Sequence, residues 1–221
     1  MYLYLYHRLG PFRDLESFDD LDHLDEQGFM PQIYVNLTNR CNNACTFCLR
    51  DGEAGRRSDL WIDREPSAQE LCATLDRFDL APIREVVFCG FGEPTMRLDT
   101  LLSVARHVHE TCPGTCVRLN TNGLANAQYG RDVTPELVGV IDEVSVSLNT
   151  SDPARYFELT RSSFGPDAQA EVWKFTRACT ERGIDTAMTV VDVIDDDDIE
   201  RCAQLCADAG VRFRVRTYSA A

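Results

Sequence analysis

No uninterrupted apolar run in the chain approaches the roughly 20 residues that a membrane-spanning helix needs. Positive charge is scarce as well: 22 Lys and Arg stand against 36 Asp and Glu, for a formal net charge of −14. An electrostatic embrace of nucleic acid is thereby disfavoured, because phosphate binding rests on an excess of Lys and Arg. The four histidines show no metal-ligand spacing, and neither an internal repeat nor a low-complexity linker interrupts the chain. The opening M-Y-L-Y-L-Y-H-R lacks the basic start and long apolar core of an export signal. A soluble, cytoplasmic protein with no membrane partner is the expectation.

Cysteine, in contrast, is plentiful, with ten residues. Disulfide-rich frameworks belong to small secreted domains that cannot build a core. With 221 residues, 44% of them hydrophobic, this chain can build one. A reducing compartment fits better, with the tightest group of cysteines holding metal.

Six short β-branched and apolar segments are strand candidates: residues 33–37, 85–89, 116–120, 143–149, 185–191 and 212–217. Helical patterns separate them. Ser67 and Glu70 have capping-box spacing ahead of the stripe Leu71, Leu75, Phe78. Further helices are expected over residues 99–110, over 167–182 ending at Gly183, and over 197–209 ending at Gly210. Alternating strands and helices imply βα units and a parallel sheet, either doubly wound or a partial barrel. In both, ligands gather at the carboxyl ends of the strands. Residues 1–30 stand outside the alternation and read as an N-terminal extension, an added strand followed by an acidic solvated helix or loop; 31–221 reads as the core domain.

Just after the first of these strands comes C-N-N-A-C-T-F-C, with Cys41, Cys45 and Cys48 spaced C-x3-C-x2-C. Thiolates are soft ligands for zinc, copper(I) or iron-sulfur clusters. A structural zinc site would close with a fourth Cys or His, and an ordinary ferredoxin cluster also takes four cysteines. Neither is completed here. Three thiolates on a four-iron cube leave one iron open to a reactant, the logic of a catalytic metal site.

This spacing, with the aromatic Phe47 before the last cysteine, resembles the signature of the radical S-adenosylmethionine (SAM) superfamily. The resemblance implies a [4Fe-4S] cluster on Cys41, Cys45 and Cys48 whose open iron chelates the amino and carboxylate groups of SAM, with Phe47 beside the cofactor. Later strand ends agree. Cys89-Gly90-Phe91-Gly92-Glu93-Pro94-Thr95 resembles the superfamily's G-G-E-P motif, with Phe91 in place of its first glycine; Gly90, Gly92, Glu93 and Pro94 would receive the SAM amino group. Thr121-Asn122-Gly123 resembles the T-N-G after the third strand, which puts Asn122 at the cofactor. The alternating fourth strand would direct Ser147 and Asn149 to the SAM ribose or carboxylate, and the end of the fifth, Val191, would lie beside the adenine.

The resemblance covers about residues 31–218. It implies an α/β fold, a partial (β/α)6 parallel barrel, and an enzyme that reductively cleaves SAM to a 5′-deoxyadenosyl radical, which abstracts hydrogen from a small molecule or compact partner. A flavodoxin-like or ferredoxin-like electron donor is the implied partner. More closely, Y-V-N-L-T-N-R-C-N-N-A-C-T-F-C with F-C-G-F-G-E-P-T resembles the radical SAM proteins associated with TatD-family hydrolases, so a functional association with such a hydrolase is a further expectation. The competing class is a non-catalytic zinc-binding or electron-transfer module using the same three cysteines.

The remaining candidates read more plainly. Cys202 and Cys206 share an apolar helical stripe with Ile199, Leu205 and Ala209, and Cys72 and Cys179 lie on similar stripes, so all four are assigned to packing. Cys112 and Cys116 sit at a strand entry, the end opposite the site. The acidic run Asp195 to Asp198 reads as a solvated helix start. Arg97, Arg214 and Arg216 are the candidates to hold an anionic substrate, with Arg50 and Arg155 behind them, since guanidinium matches carboxylate or phosphate.

Overall fold

The computed structural model describes residues 3–6, 13–14, 32–56, 60–81 and 83–218. Among the described residues eight strands form one sheet: β1 (Leu3–Tyr6), β2 (Arg13–Asp14), β3 (Gln32–Val35), β4 (Glu85–Phe88), β5 (Cys116–Thr121), β6 (Glu143–Ser147), β7 (Asp185–Val191) and β8 (Arg212–Arg216). Their order is β2-β1-β3-β4-β5-β6-β7-β8. From β3 to β8 every neighbouring pair is parallel. Strand order thus follows chain order without reversal. A doubly wound sheet would need a switch point, so the alternative left open by the sequence resolves to six βα units of a partial barrel. β1 is the added N-terminal strand, antiparallel to β3 in the register Leu3 to Val35 and Tyr6 to Gln32. The acidic helix or loop expected after it, residues 15–26, falls outside the described residues.

The main helices among the described residues are α1 (Glu53–Arg56), α2 (Ala68–Leu75), α3 (Leu98–Thr111), α4 (Ala125–Tyr129), α5 (Thr134–Leu137), α6 (Pro153–Thr160), α7 (Ala168–Glu181) and α8 (Asp196–Asp208). The capping box of α2 forms as its spacing predicts: Ser67 Oγ accepts from Glu70 N, and a Glu70 carboxylate oxygen accepts from Ser67 N. Beyond α7 and α8 the chain turns through Gly183 and Gly210 at φ +76° and +68°. There Ile184 N bonds Cys179 O and Val211 N bonds Cys206 O, closing both helix ends with glycine in the left-handed region.

Alternation along the strands divides the sheet's two faces. Ile33, Val35, Val86, Phe88, Val117, Leu119, Val144, Val146, Met188 and Val190 belong to one continuous apolar core with α2, α3, α7 and α8. Cys179, Cys202 and Cys206 are fully buried in it, and Cys72 packs against it, as the stripes predict. Leu205 is the exception, 40% exposed on the outer side of α8. The opposite face, the inside of the partial barrel, presents Glu85, Arg118, Asn120, Glu143, Ser145, Ser147, Thr189 and Arg214. A sheet in water would solvate such residues; here Glu85 and Ser145 are buried, and Arg118 pairs with Glu85 at 3.0 Å.

Candidate functional site

The loops leaving β3 to β7 meet at one end of the sheet, and each is fixed there by side chains that the sequence pattern does not advertise. After β3, Asn36 Nδ2 donates to Leu60 O at 2.6 Å. Asn39 makes a two-point contact with Ile62, Nδ2 to its carbonyl and Oδ1 from its N–H. Glu65 gathers Thr38 Oγ1, the Arg40 guanidinium and Arg97 Nη1. Burial opposes its ionisation, but the Arg40 and Thr38 hydrogen bonds and the neighbouring guanidinium charges hold its carboxyl below the usual range. The segment entering the cysteine loop is therefore anchored on residues 60–65.

The cysteine loop itself is tied to the far side of the site. Ala44 N and Thr46 N donate to Thr160 O and Leu159 O at the end of α6, both at 2.8 Å, and Ser163 N donates to Asn42 O at 2.9 Å. α6 was not expected from the sequence, although its start is legible: Asp152 caps it by accepting from Arg155 N, and Pro153 occupies the first turn. The three thiols sit in one electrostatic neighbourhood. Burial pushes Cys41 up to about 11, with the Glu93 charge adding, and Cys45 up to about 12, with Cys41 and Cys48 adding; Cys48 is also raised, chiefly by burial. Arg50 acts the other way on all three. Among the described residues no three His, Cys, Asp or Glu side chains converge as ligands of a single ion.

The turn after β4 packs directly on this loop. Glu93 N donates to Arg40 O at 2.8 Å, and a Cβ at Gly92 would lie 2.2 Å from Thr38 O and 2.6 Å from Arg40 O. A Cβ at Gly90 would fall 2.2 Å from Asn36 Oδ1. Both glycines are there because the two loops touch backbone to backbone or backbone to amide. Phe91, which replaces a glycine of the resembled motif, is accommodated outward, edge-on to Trp61 with ring centroids 5.1 Å apart.

Glu93 is fully enclosed. Its Oε1 accepts from Thr95 N, Thr95 Oγ1 and Thr121 Oγ1, and its Oε2 accepts from Asn122 N at 2.7 Å. Burial raises its carboxyl above the ordinary range while these four donors pull it down. The carboxylate thus bolts the β4 turn to the end of β5. Pro94 is buried beside it in the 3-10 turn Pro94–Arg97. Asn122 in turn bonds Asn42 Oδ1 through Nδ2, and its Oδ1 accepts from Leu124 N.

After β6, Ser147 lies half-buried on the inner face, and Asn149 adopts φ +68°, a left-handed conformation that Asn tolerates better than most residues. The loop beyond is held by Asp198, buried on α8, which accepts from Thr150 Oγ1, Ser151 N and Ser151 Oγ. The acidic run is therefore not simply solvated. Asp195 caps α8, accepting from Asp198 N, but Asp198 points inward to the Asn149 loop. Val191 closes β7 in register with Arg216.

Phe47, Gly90, Gly92, Glu93, Pro94, Asn122, Ser147, Asn149 and Val191 therefore lie on the loops and strand ends at the cysteine end of the sheet. The arginines divide. Arg97, the first candidate for substrate, is committed elsewhere: it bonds Glu65, Pro66 O and Thr100 Oγ1, and its role corrects from substrate contact to loop anchor. Arg155 is similarly engaged by Asp195 at 2.7 Å. Arg214 bonds Glu143 at 2.7 Å across the inner face. Arg216 is exposed on that face, without a side-chain partner among the described residues. Sequence reasoning missed Glu65, Asn36, Asn39 and the bond from Thr121 to Glu93. Their partners lie about 20 or more residues away, so no local spacing signals them; Asn42 and Asn43 stood inside the motif but were not weighed.

With this geometry in hand, the comparisons with known proteins are specific. Residues 35–206 match the family described as Radical SAM superfamily. A probable GTP 3′,8-cyclase of Methanopyrus kandleri is 35% identical over 136 residues, covering 61% of this chain and 39% of that protein. A GTP 3′,8-cyclase of Mycobacterium sp. (strain KMS) is 26% identical over 195 residues, covering 83% and 50%. The chain spans half or less of the length of these curated relatives. Among solved structures, Streptococcus suis SuiB bound to S-adenosylmethionine superposes with a TM-score of 0.63 at 20% identity, over 91% of this chain and 43% of that one, a likeness of fold.

Proposed function

This chain belongs to the radical SAM superfamily, and from that premise we propose that it reductively cleaves SAM at a [4Fe-4S] cluster held by Cys41, Cys45 and Cys48 and uses the resulting radical on a small molecule or compact partner. The superfamily uses that cluster and SAM, and the donor set here suits them. Three soft thiols share one loop, each within electrostatic reach of the others. Around them the Asn43 carboxamide and the Tyr156 hydroxyl are buried against each other, and Asn42 Nδ2 is buried without a protein partner. Buried polar groups are rarely left so. An anionic cluster with sulfide corners offers acceptors to such donors.

When bound, a [4Fe-4S] cluster with one iron lacking a protein ligand supplies the electron for cleavage of SAM to methionine and a 5′-deoxyadenosyl radical, which abstracts hydrogen from substrate. The chain's own residues do the rest. Glu93 and Gly92 keep the β4 turn pressed on the cysteine loop, where backbone groups of that turn receive the SAM amino group. Ser147 and Asn149 take the ribose or carboxylate, and Phe47 and Val191 shelter the adenine.

The observation that carries the reading is the junction of the cysteine loop, the Gly92-Glu93 turn and Asn122 at one end of the sheet. Arg216, open on the inner face, with Arg214 beside it in alternation, supports an anionic group on the substrate. A flavodoxin-like or ferredoxin-like donor as electron source and a functional association with a TatD-family hydrolase belong to the same proposal; the second rests on the two motif stretches alone.

The test is anaerobic reconstitution followed by dithionite and SAM, with iron, sulfide and 5′-deoxyadenosine measured together. Cluster plus deoxyadenosine, both lost in Cys41→Ala, Cys45→Ala and Cys48→Ala, is the expected result. Bound zinc, or a cluster indifferent to SAM under competent reduction, would instead support the binding or electron-transfer module.

A further inference from the structure

Asn122 lies at the cysteine end of the sheet, yet its backbone N–H and both polar atoms of its carboxamide are occupied within the protein. Its N–H donates to Glu93 Oε2 at 2.7 Å, and its Oδ1 accepts from Leu124 N at 3.0 Å. Its Nδ2 donates to Asn42 Oδ1 and stands 3.9 Å from Cys41 Sγ, within hydrogen-bond reach of a sulfur acceptor. The same sulfur receives Asn43 N at 3.4 Å. Asn122 is buried, 8% exposed, and both its backbone and its carboxamide are fixed by the contacts just named. A side chain so constrained cannot swing toward a second ligand without abandoning Glu93's neighbourhood or Asn42. What it presents to the cofactor is an N–H aimed at a ligating sulfur.

We propose that Asn122 is a positioning residue whose carboxamide donates to the Cys41 sulfur and thereby raises the reduction potential of the cluster. The proposal rests on the reading that the trio holds a [4Fe-4S] cluster. Reduction adds negative charge to the cluster, and part of that charge resides on the thiolate sulfurs. An N–H donor stabilises the reduced form more than the oxidised one, and hydrogen bonds to sulfur are a recognised lever on cluster potential. Low polarisability around a buried donor strengthens the effect. Glu93 enters indirectly: by accepting from Asn122 N it fixes the register at which the carboxamide meets Cys41. This differs from the role implied by resemblance, in which Asn122 contacts SAM itself.

The experiment is a redox titration of the reconstituted cluster, followed by EPR, in wild type, Asn122→Ala and Asn122→Asp, with iron and sulfide content measured alongside. Asn122→Ala removes the donor without adding charge; Asn122→Asp keeps the acceptor for Leu124 N and loses the N–H. Both are expected to retain the cluster and to be harder to reduce, by about tenfold in the one-electron equilibrium constant, or ~59 mV for a one-electron couple. An unchanged potential at full cluster content in Asn122→Ala overturns the proposal. Should neither variant load a cluster, wild-type protein labelled with heavy nitrogen in its asparagine side-chain amides is compared with equally labelled Asn42→Asp and Asn43→Asp, which remove the other two buried amides of the site. Pulsed EPR of the reduced cluster is then expected to show a nitrogen coupling that survives both substitutions, and its absence overturns the proposal. A wild-type protein that binds no four-iron cluster overturns the underlying reading as well, which separates the two failures.

Discussion

The backbone N–H of Asn122 donates to Oε2 of Glu93 at 2.7 Å, joining two strand ends that are 29 residues apart in sequence. Glu93 accepts three further bonds on its other oxygen, so one enclosed carboxylate holds Thr95, Thr121 and Asn122 together. In Glu93→Gln an amide nitrogen replaces one of these acceptors and faces a donor. Leaving a buried donor unpaired costs about 1–3 kcal/mol. We expect a lower melting temperature and weaker SAM binding in Glu93→Gln, read by thermal denaturation and by calorimetry of the loaded protein. A variant with wild-type stability would show that the carboxylate is not the bolt between β4 and β5.

Gly92 and Gly90 should differ in their tolerance of a methyl group. At Gly92 the obstacle is backbone, Thr38 O at 2.2 Å and Arg40 O at 2.6 Å, which moves only with the cysteine loop. At Gly90 it is the Asn36 side chain, which can rotate at the expense of its bond to Leu60 O. Gly92→Ala is expected to cost about 1–3 kcal/mol as overpacking and to lower cluster content after reconstitution. Gly90→Ala should be milder on both counts. The reverse order in iron content and melting temperature would refute the contact assignment.

Arg97 and Arg216 make a second contrast. Arg97 serves Glu65, Pro66 O and Thr100, and hydrogen bonds to charged groups contribute about 1.5–3 kcal/mol. Arg97→Ala should therefore lower stability, whereas Arg216→Ala should leave the melting temperature unchanged and affect only turnover of an anionic substrate. Equal melting temperatures for the two variants would count against the division between anchor and open cation.

Asp198 sets an acid limit. Burial opposes its charge, but the bonds from Ser151 and Thr150, with Arg155 nearby, hold its carboxyl below the usual aspartate range. A depressed folded-state value means that its contribution is complete above the unfolded value, near 3.9, and is lost as pH falls through the lower folded one. Asp198→Asn removes this dependence. Melting temperature followed from about pH 5 downward should fall more steeply in wild type than in Asp198→Asn; parallel curves would show that Asp198 does not control the Asn149 loop.

By itself the sequence determined the repeating units and singled out three cysteines as the proposed cluster ligands. All six core strands, the three longest helices and α2 lie where the apolar spacing, the Ser67 capping box and the glycines at 183 and 210 put them, because helix and strand periods and turn chemistry are local properties. The cysteine trio stood out for the same reason: its C-x3-C-x2-C spacing is local. Tertiary structure alone decided how the ends of those strands are held together. Sequential strand order turned an ambiguous βα pattern into a partial barrel. Glu65 took Arg97 out of the substrate's reach, Glu93 closed onto Asn122, and Asp198 turned inward to the Asn149 loop. Each of these is a bond between residues some 30 to 50 positions apart, governed by which polar groups the folded chain buries side by side, and no spacing along the chain encodes it.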